Sequence, residues 1–258
     1  MRCFERMRPK ERVVHERWQP PWIRNEHLAR YRFATELVRG RVVVDCACGD
    51  GTGTRVLSEG GAERVYAFDR SPEAVSMARS TASCTHAEVQ LADALSLPLP
   101  KASVDVYVSF ETIEHVRDPE AFLDEVVRVL RDNGTFVCST PNRAIYSPGH
   151  SAESKPWNPF HVCEFSLTEF ATLLSSRFAK QSLYAQNDRG RFRAVSLRVA
   201  GRILPWNLAV RLRQIAKLPL LVSDREDRHG VRSMDVRRPP EILVAVCATP
   251  LSASNSRA

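Results

Sequence analysis

One stretch, residues 42–53, restricts the possible folds of this chain more than any other. Three valines lead into Asp45, and the residues that follow, Cys-Ala-Cys-Gly-Asp-Gly-Thr-Gly, are mostly small. An apolar run of this kind predicts a buried strand. Closely spaced glycines let the backbone approach a ligand and aim the N–H groups of the next helix at it. We therefore predict a strand, a ligand-binding loop and a helix in that order.

Strands alternate with helices along the following 140 residues. Apolar runs at 64–68, 89–91, 104–110 and 135–139 predict strands, and later runs at 183–185 and 241–248 predict two more. Ser71 with Pro72, and Asp118 with Pro119, are typical of helix starts. Strands that are apolar throughout and separated by helices indicate a parallel sheet covered on both faces. The sequence thus predicts an α/β fold, a three-layer α/β/α sandwich with a seven-stranded, mainly parallel sheet.

The flanking segments differ from this core. Residues 1–24 are polar and interrupted by prolines, which predicts an N-terminal arm. A first helix is expected over residues 25–38, with Asn25 as its N-cap, and the main domain over 25–250. A basic, amphipathic insertion is expected at about 188–240, and a disordered tail at 251–258.

Composition limits the cellular setting. The net charge is +7, and no stretch is apolar for the roughly 18 residues that a membrane span requires. Seven cysteines are scattered without paired spacing, as in a reducing compartment. A cytoplasmic location is expected. The insertion could cover an acceptor pocket, contact a membrane surface peripherally or pair with another subunit.

Two further carboxylates support a bound nucleoside. Asp69 ends the second strand, where a carboxylate can accept hydrogen bonds from a ribose diol, and Asp93 follows the third strand, where it could contact adenine. A dinucleotide would need its pyrophosphate beside the glycine loop, but Asp45 would repel that anion and attract an ammonium group.

The run from Asp45 to Gly51 resembles motif I of class I S-adenosylmethionine-dependent methyltransferases, whose usual form is D-x-G-x-G-x-G. Ala47 replaces the first glycine. Residues 93–98, 104–115 and 128–136 are similar to later motifs of the family, so the resemblance covers about residues 25–185 and implies a Rossmann-like fold and S-adenosylmethionine as cofactor. It implies that the methionine part is surrounded by Asp45, Ala47, Gly49 and Gly51, the ribose bound by Asp69, and the adenine by Asp93 and Ala94.

An E-x-x-E-H segment follows the fourth strand. Glu111, Glu114 and His115 would share one face of a helical turn, and a later His161 is a fourth candidate. This set resembles the metal site of small-RNA 2′-O-methyltransferases and, in part, that of ubiquinone-pathway O-methyltransferases. All four residues are metal-ligand candidates, for magnesium or another divalent ion. His115 and Glu111 are the catalytic candidates, with His115 acting as base or as ligand, and a plain acidic rim is the alternative.

The first helix contains Glu26-His27-Leu-Ala-Arg30-Tyr31, which either closes over the cofactor or only packs. The resemblance favours methyl transfer to a hydroxyl of a small-molecule or glycosylated acceptor. Two alternatives stay open: methylation of RNA ribose at the 2′-oxygen, with nucleic acid as partner, and a non-catalytic S-adenosylmethionine-binding regulatory protein.

Overall fold

The computed structural model describes residues 21–83, 85–187, 230–235 and 239–251. Most of the predicted arm, most of the predicted insertion and the predicted tail lie outside the described residues. The predicted peripheral contacts of the insertion fall there too.

The described chain contains six α-helices and eight strands. The helices are α1 Pro21–Val38, α2 Thr52–Glu59, α3 Pro72–Thr81, α4 Pro119–Val129, α5 Arg143–Tyr146 and α6 Leu167–Ser175. The strands are β1 Val42–Cys46, β2 Arg64–Asp69, β3 Ala87–Leu91, β4 Val104–Phe110, β5 Leu130–Pro141, β6 Phe178–Gln186, β7 Arg232–Ser233 and β8 Ile242–Pro250. A 3-10 turn, Ile113–His115, follows β4.

All strands form one sheet in the order β3-β2-β1-β4-β5-β8-β6-β7. The pairs among β1 to β5 are parallel, whereas β8 runs antiparallel between β5 and β6. The mainly parallel sheet and all seven predicted strands are therefore confirmed. The count differs by one, because the two-residue β7 adds an edge strand beside β6.

The valines of β1 separate the two faces of the sheet. Val43 packs in a cluster with Tyr31 of α1 and Leu57 of α2. Its neighbour Val44 points the other way, into a cluster that contains Phe122 of α4 and helix α6. Adjacent residues of a strand face opposite sides of a sheet, so an all-apolar strand requires helices on both faces. The three-layer prediction is confirmed.

Local sequence signals mark the starts of α3, α4 and α6. Ser71 and Asp118 accept hydrogen bonds from backbone N–H groups of the first turns of α3 and α4, each followed by proline. Ser166 and Glu169 form the capping box at the start of α6. These side chains satisfy N–H groups that have no partner within a helix, which is why the helices begin there.

The predicted start of the first helix is wrong. Helix α1 begins at Pro21, so Asn25 lies inside it and is not its N-cap. Proline is unfavourable in the interior of a helix, but it is tolerated at the first helical position, where the backbone N–H has no partner within the helix. Pro21 therefore marks where α1 begins. No helix of the described chain is long and apolar enough to span a bilayer.

Candidate active site

The candidate site lies at the carboxyl edge of the parallel strands. Strands β1, β2 and β3 are adjacent and parallel, so Asp45, Asp69 and the segment beginning at Ala92 reach the same edge. The Ala92 amide donates to the Asp69 carbonyl, 3.1 Å apart. Strand β4 flanks β1 on the other side, and its Ser109 hydroxyl donates to the Cys46 carbonyl, at 3.2 Å. Ligands of open parallel sheets bind at this edge.

The loop after β1 is held in left-handed backbone conformations. Ala47, Gly49 and Gly51 have φ values of 61°, 57° and 80°. A side chain on Gly51 would overlap the backbone of Ala78 in α3, whereas Gly49 faces open space. Gly51 is thus required by packing. Ala47 is exposed and tolerates a conformation that costs about 1–2 kcal/mol for a residue with a Cβ.

Asp45 is fully buried and holds the loop to helix α1. Its Oδ1 accepts from the Tyr31 hydroxyl at 2.9 Å, and its Oδ2 accepts from the Thr54 hydroxyl at 2.6 Å. Burial raises the pKa of Asp45 to about 6, against the two hydrogen bonds, which lower it. Both carboxylate oxygens accept hydrogen bonds from side chains of the protein, so Asp45 stabilises the loop through these internal contacts.

Asp69 links the loop to the second strand. Its Oδ2 accepts from the Gly49 amide at 3.1 Å and its Oδ1 from the Ser71 amide at 2.8 Å. The carboxylate is half-buried, and each oxygen retains a further lone pair. Asp69 therefore shapes the turn and still presents acceptors to a ligand.

Asp93 and Ala94 lie beyond the end of β3. Asp93 is exposed, and its Oδ1 accepts from the Leu95 amide at 2.9 Å. Ala94 is half-buried, and the nearby Leu91 is 55% exposed. An open apolar surface next to an exposed carboxylate is suited to the face and edge of a planar base.

Arg30 of α1 is a cation that is 1% exposed. Its guanidinium donates to Gln186 Oε1 at 2.5 Å and lies 5.9 Å from the centroid of the Phe110 ring. Its Nε has no hydrogen-bond partner, and within the described chain no carboxylate forms an ion pair with it. A buried charge without an ion pair is costly, and the Arg30 charge also acts on the buried Glu114, where it lowers the pKa against the effect of burial.

The predicted helical face of the E-x-x-E-H segment is wrong. Glu111 has φ 54°, and the helical turn begins only at Ile113 and is of the 3-10 type. Glu111 points toward β5, where its Oε1 accepts from the Ser139 hydroxyl at 2.7 Å. The left-handed residue turns the chain sharply after β4, so Glu111 does not share a helical face with Glu114 and His115.

Glu114 is fully buried. Its Oε2 accepts from the Thr140 hydroxyl at 3.0 Å, and its Oε1 has no partner. Burial, with a smaller contribution from the Glu111 charge, holds the pKa of Glu114 well above its usual value. Burial therefore favours the uncharged form of this side chain, while the charge of Arg30 favours the ionised form.

His115 presents one ring nitrogen to the site. Its Nδ1 lies 3.1 Å from the Phe160 carbonyl and must donate to it, because a carbonyl oxygen only accepts. Its Nε2 forms no hydrogen bond with the described part of the chain. Burial, and secondarily the charge of His161, lowers the pKa of His115. The imidazole is thus neutral at pH 7 with an unshared electron pair on Nε2.

His161 lies beside His115 with ring centroids 5.0 Å apart and ring planes at 80°. Its Nδ1 is 2.6 Å from Glu164 Oε1, and its Nε2 is 2.8 Å from Asn158 Nδ2. Sequence analysis did not single out Glu164 or Asn158. Their three-residue spacing around His161, in N-P-F-H-V-C-E, was the available signal.

Three of the four predicted metal ligands come together. One ligand atom from each of Glu114, His115 and His161 lies within 4.8 Å of the others. Glu111 does not belong to this group. The buried, unpartnered Glu114 Oε1 and the open Nε2 of His115 are available donors, while Nε2 of His161 would have to release the Asn158 amide.

Comparison with known proteins bears on the family and the fold. The family described as "Methyltransferase domain" matches residues 44–138. A Mycolicibacterium smegmatis protein named a probable S-adenosylmethionine-dependent methyltransferase is 37% identical over 155 residues, which are 60% of this chain and 58% of that protein. This chain therefore matches less than two thirds of that relative's length.

A Mycobacterium tuberculosis protein with the same description is 35% identical over 199 residues, or 77% of this chain and 69% of that protein. Among solved structures, a S-adenosylmethionine-dependent methyltransferase from Thermotoga maritima superposes with a TM-score of 0.61 at 17% identity. It covers 89% of this chain and 93% of its own. The structural similarity supports the fold, and the match to the Mycobacterium tuberculosis protein shows the family. The chain belongs to the S-adenosylmethionine-dependent methyltransferases.

Proposed function

We propose that this protein methylates a hydroxyl group of a small-molecule or sugar-containing acceptor, with His115 as the proton acceptor. The observation behind this proposal is the neutral His115 ring, whose Nδ1–H is fixed by the Phe160 carbonyl and whose Nε2 is open. A hydroxyl is a weak nucleophile until a base removes its proton, and a neutral imidazole does this near pH 7.

The donor fits the residues of the carboxyl edge. Asp69 would accept hydrogen bonds from its ribose, Asp93 and Ala94 would line its adenine, and Ala47, Gly49 and Gly51 would let the backbone approach its methionine part. Arg30 would bind its carboxylate, because the buried guanidinium forms no ion pair in the described chain and its Nε has no hydrogen-bond partner. Asp45 would support the loop and contribute negative charge near the sulfonium and ammonium groups.

When bound, S-adenosylmethionine supplies an activated methyl group, and S-adenosylhomocysteine is left once an oxygen–methyl bond has replaced the sulfur–methyl bond. The protein must hold the acceptor oxygen in line with that methyl group. The acceptor proton moves to His115 Nε2, and solvent later removes it.

A screen of methyl transfer from labelled S-adenosylmethionine to glycosides, phenols and short RNA tests this function. His115→Gln, which retains size but is a far weaker base, is expected to lower kcat by about a hundredfold or more while the Kd for S-adenosylhomocysteine stays within twofold. Asp69→Asn is the matched variant for the donor side and should weaken S-adenosylhomocysteine binding.

The acceptors that are methylated in the screen distinguish the possible functions. Transfer to RNA that weakens steeply with salt would replace the small-molecule proposal with ribose 2′-O-methylation. Donor binding without transfer to any of these acceptors would favour a regulatory role. Full activity of His115→Gln would show that His115 is not the base.

A divalent metal is the second candidate use of this cluster, because both histidines donate Nδ1–H to an oxygen and one ligand atom from each of Glu114, His115 and His161 lies within 4.8 Å of the others. This is the usual arrangement behind metal-binding histidines. Glu114, His115 and His161 would hold the ion, and two imidazoles favour zinc or iron over magnesium. A bound metal would lower the pKa of a coordinated hydroxyl, and His115 would then be a ligand and not the base.

Metal content and calorimetric titration of the purified protein with Zn²⁺, Mn²⁺ and Mg²⁺ test this candidate. Glu114→Gln should abolish binding and Glu111→Gln should retain it, because Glu111 lies outside the cluster. Full methyl transfer after chelation would exclude a metal role in catalysis.

A further inference from the structure

The loop of residues 158–164, between α5 and α6, is attached directly to the turn that contains Glu114 and His115. The Val162 and Cys163 amides both donate to the Glu114 carbonyl, at 2.8 and 3.2 Å. The Phe160 carbonyl accepts from His115 Nδ1 at 3.1 Å. This loop therefore fixes both the backbone of the turn and the direction of the His115 ring.

The shape of the loop depends on a chain of three side chains. Asn158 Oδ1 accepts from the Phe160 amide at 3.0 Å, which orients the Asn158 amide so that Nδ2 donates to His161 Nε2 at 2.8 Å. Because His161 Nε2 accepts, its Nδ1 carries the proton and donates to Glu164 Oε1 at 2.6 Å. The hydrogen bonds thus specify one tautomer of His161.

The burial of the Glu164 carboxyl group is energetically unfavourable. Its side chain is 0% exposed, its Oε1 bonds to His161, and its Oε2 has no partner. A buried carboxyl oxygen without a hydrogen bond destabilises a protein, and an apolar side chain would avoid that cost. The hydrogen bond to His161 is the interaction that an apolar residue could not replace.

His161 transmits this constraint to His115. The edge of one ring meets the face of the other, with centroids 5.0 Å apart. Two aromatic rings in this geometry restrict each other's tilt. A rotation of His161 would remove that support and would also disturb the loop whose Phe160 carbonyl holds His115.

We propose that Glu164 is a positioning residue for methyl transfer: it holds His161 in the Nδ1–H tautomer, and His161 with the 158–164 loop keeps His115 Nε2 directed at the acceptor. The proposal rests on the proposed role of His115 in the reaction. Glu164 itself touches neither donor nor acceptor. Carboxylates that orient a functional histidine through its second nitrogen typically contribute tenfold to a hundredfold in activity or metal affinity.

Glu164→Met and Glu164→Gln test this role in the full chain. Methionine is close in volume and cannot accept the proton of His161, whereas glutamine retains an acceptor oxygen. Imidazole ¹⁵N chemical shifts report the tautomers of His161 and His115 without turnover. Calorimetry with S-adenosylhomocysteine reports the donor site, and kcat is measured with whichever glycoside or phenol is methylated in the screen above.

Glu164→Met leaves only the Asn158 amide to hold the tautomer of His161, so we expect a partial mixture of its tautomers, shifted His115 resonances and a kcat lower by about tenfold to a hundredfold. The Kd for S-adenosylhomocysteine and the KM for S-adenosylmethionine should stay within twofold. Glu164→Gln should retain the His161 tautomer and at least half of kcat. Glu164→Ala is the second apolar variant if the methionine variant does not fold, with the same expectations.

Unchanged tautomers or unchanged kcat in the apolar variants would overturn the positioning role. Equal losses in the glutamine and methionine variants, or a parallel loss of S-adenosylhomocysteine binding, would also overturn it, because Glu164 would then serve general stability. The two proposals can fail separately. If His115→Gln is fully active, the proposed base is wrong even where Glu164→Met shifts the tautomers; if only His115→Gln lowers kcat, the positioning role alone is wrong.

Discussion

The Tyr31 hydroxyl donates to Asp45 Oδ1 at 2.9 Å, while the ring of Tyr31 covers Gly53 at the start of α2. One side chain of the first helix therefore contacts both ends of the glycine loop. Because Asp45 is buried and Thr54 satisfies its other oxygen, the loop and α1 form a single packed unit.

Removal of the Tyr31 hydroxyl should destabilise the protein. Tyr31→Phe leaves Asp45 Oδ1 buried without a donor, so we expect the free energy of unfolding to fall by about 1–3 kcal/mol. Urea denaturation measures this change. Tyr66→Phe is the matched control, because its hydroxyl bonds only to the exposed Arg64, and it should alter stability by no more than about 0.5 kcal/mol. Equal effects of the two variants would contradict the buried hydrogen bond.

Asp45 should make stability depend on pH in a direction opposite to that of most carboxylates. The pKa of about 6 in the folded protein exceeds the ordinary value of 3.8, so the folded state binds more protons between these two values. Protonated Asp45 makes its whole contribution to the free energy of unfolding below about pH 4, and this contribution is lost as the pH rises to about 6. The difference corresponds to about 3 kcal/mol.

Urea unfolding of wild type and Asp45→Asn at pH 4, 5, 6 and 7 checks this prediction. The asparagine variant does not titrate, so the free energy of unfolding of the wild type, relative to that of the variant, should fall across this range. A relative stability that stays constant or rises with pH would show that the folded pKa of Asp45 is not raised.

Gly53 should be intolerant of alanine because of Tyr31 and not because of its backbone. A Cβ at position 53 would overlap the Tyr31 ring, so we expect Gly53→Ala to cost about 1–3 kcal/mol. In a Tyr31→Ala background the same change should be neutral, or stabilise by up to about 1 kcal/mol through helix propensity. A double-mutant cycle measured by denaturation gives the coupling, and additive effects would refute the proposed contact.

Arg30 should determine donor affinity. Arg30→Met removes the buried guanidinium, and we expect the Kd for S-adenosylhomocysteine to rise about tenfold or more, with Arg30→Lys in between. Calorimetry measures both values. Arg55→Met removes only an exposed ion pair with Glu59 and should not change the Kd. A normal Kd in Arg30→Met, together with weak binding in Asp69→Asn, would place the carboxylate of the donor elsewhere.

Sequence patterns predicted the framework well because its elements depend on local chemistry. The buried strands need apolar residues on both faces, and Ser71, Asp118 and Ser166 cap helices that begin beside them. The carboxyl-edge positions of Asp45 and Asp69 followed from the strand ends. The start of α1 was missed because proline was read as a barrier and not as a first helical residue.

The acid–base cluster was predicted only in part because its geometry is not local. The E-x-x-E-H spacing implied a helix, but the left-handed backbone at Glu111 turns that residue toward Ser139. Glu164 and Asn158 lie in a loop whose sequence has no helical or strand periodicity. The sequence pattern therefore did not predict their hydrogen bonds with His161. Only the folded chain brings that loop against the turn after β4.

The placement of β8 has a consequence for biosynthesis. Strand β6 has no sheet partner on its inner side until Ile242–Pro250 arrives to pair with it and with β5. A nascent chain that has emerged only as far as Gln186 can assemble β1 to β5, but its sixth strand must wait, unpaired, for some sixty more residues to be translated. Such late closure exposes two open strand edges on the ribosome, which is when binding by a chaperone would matter most.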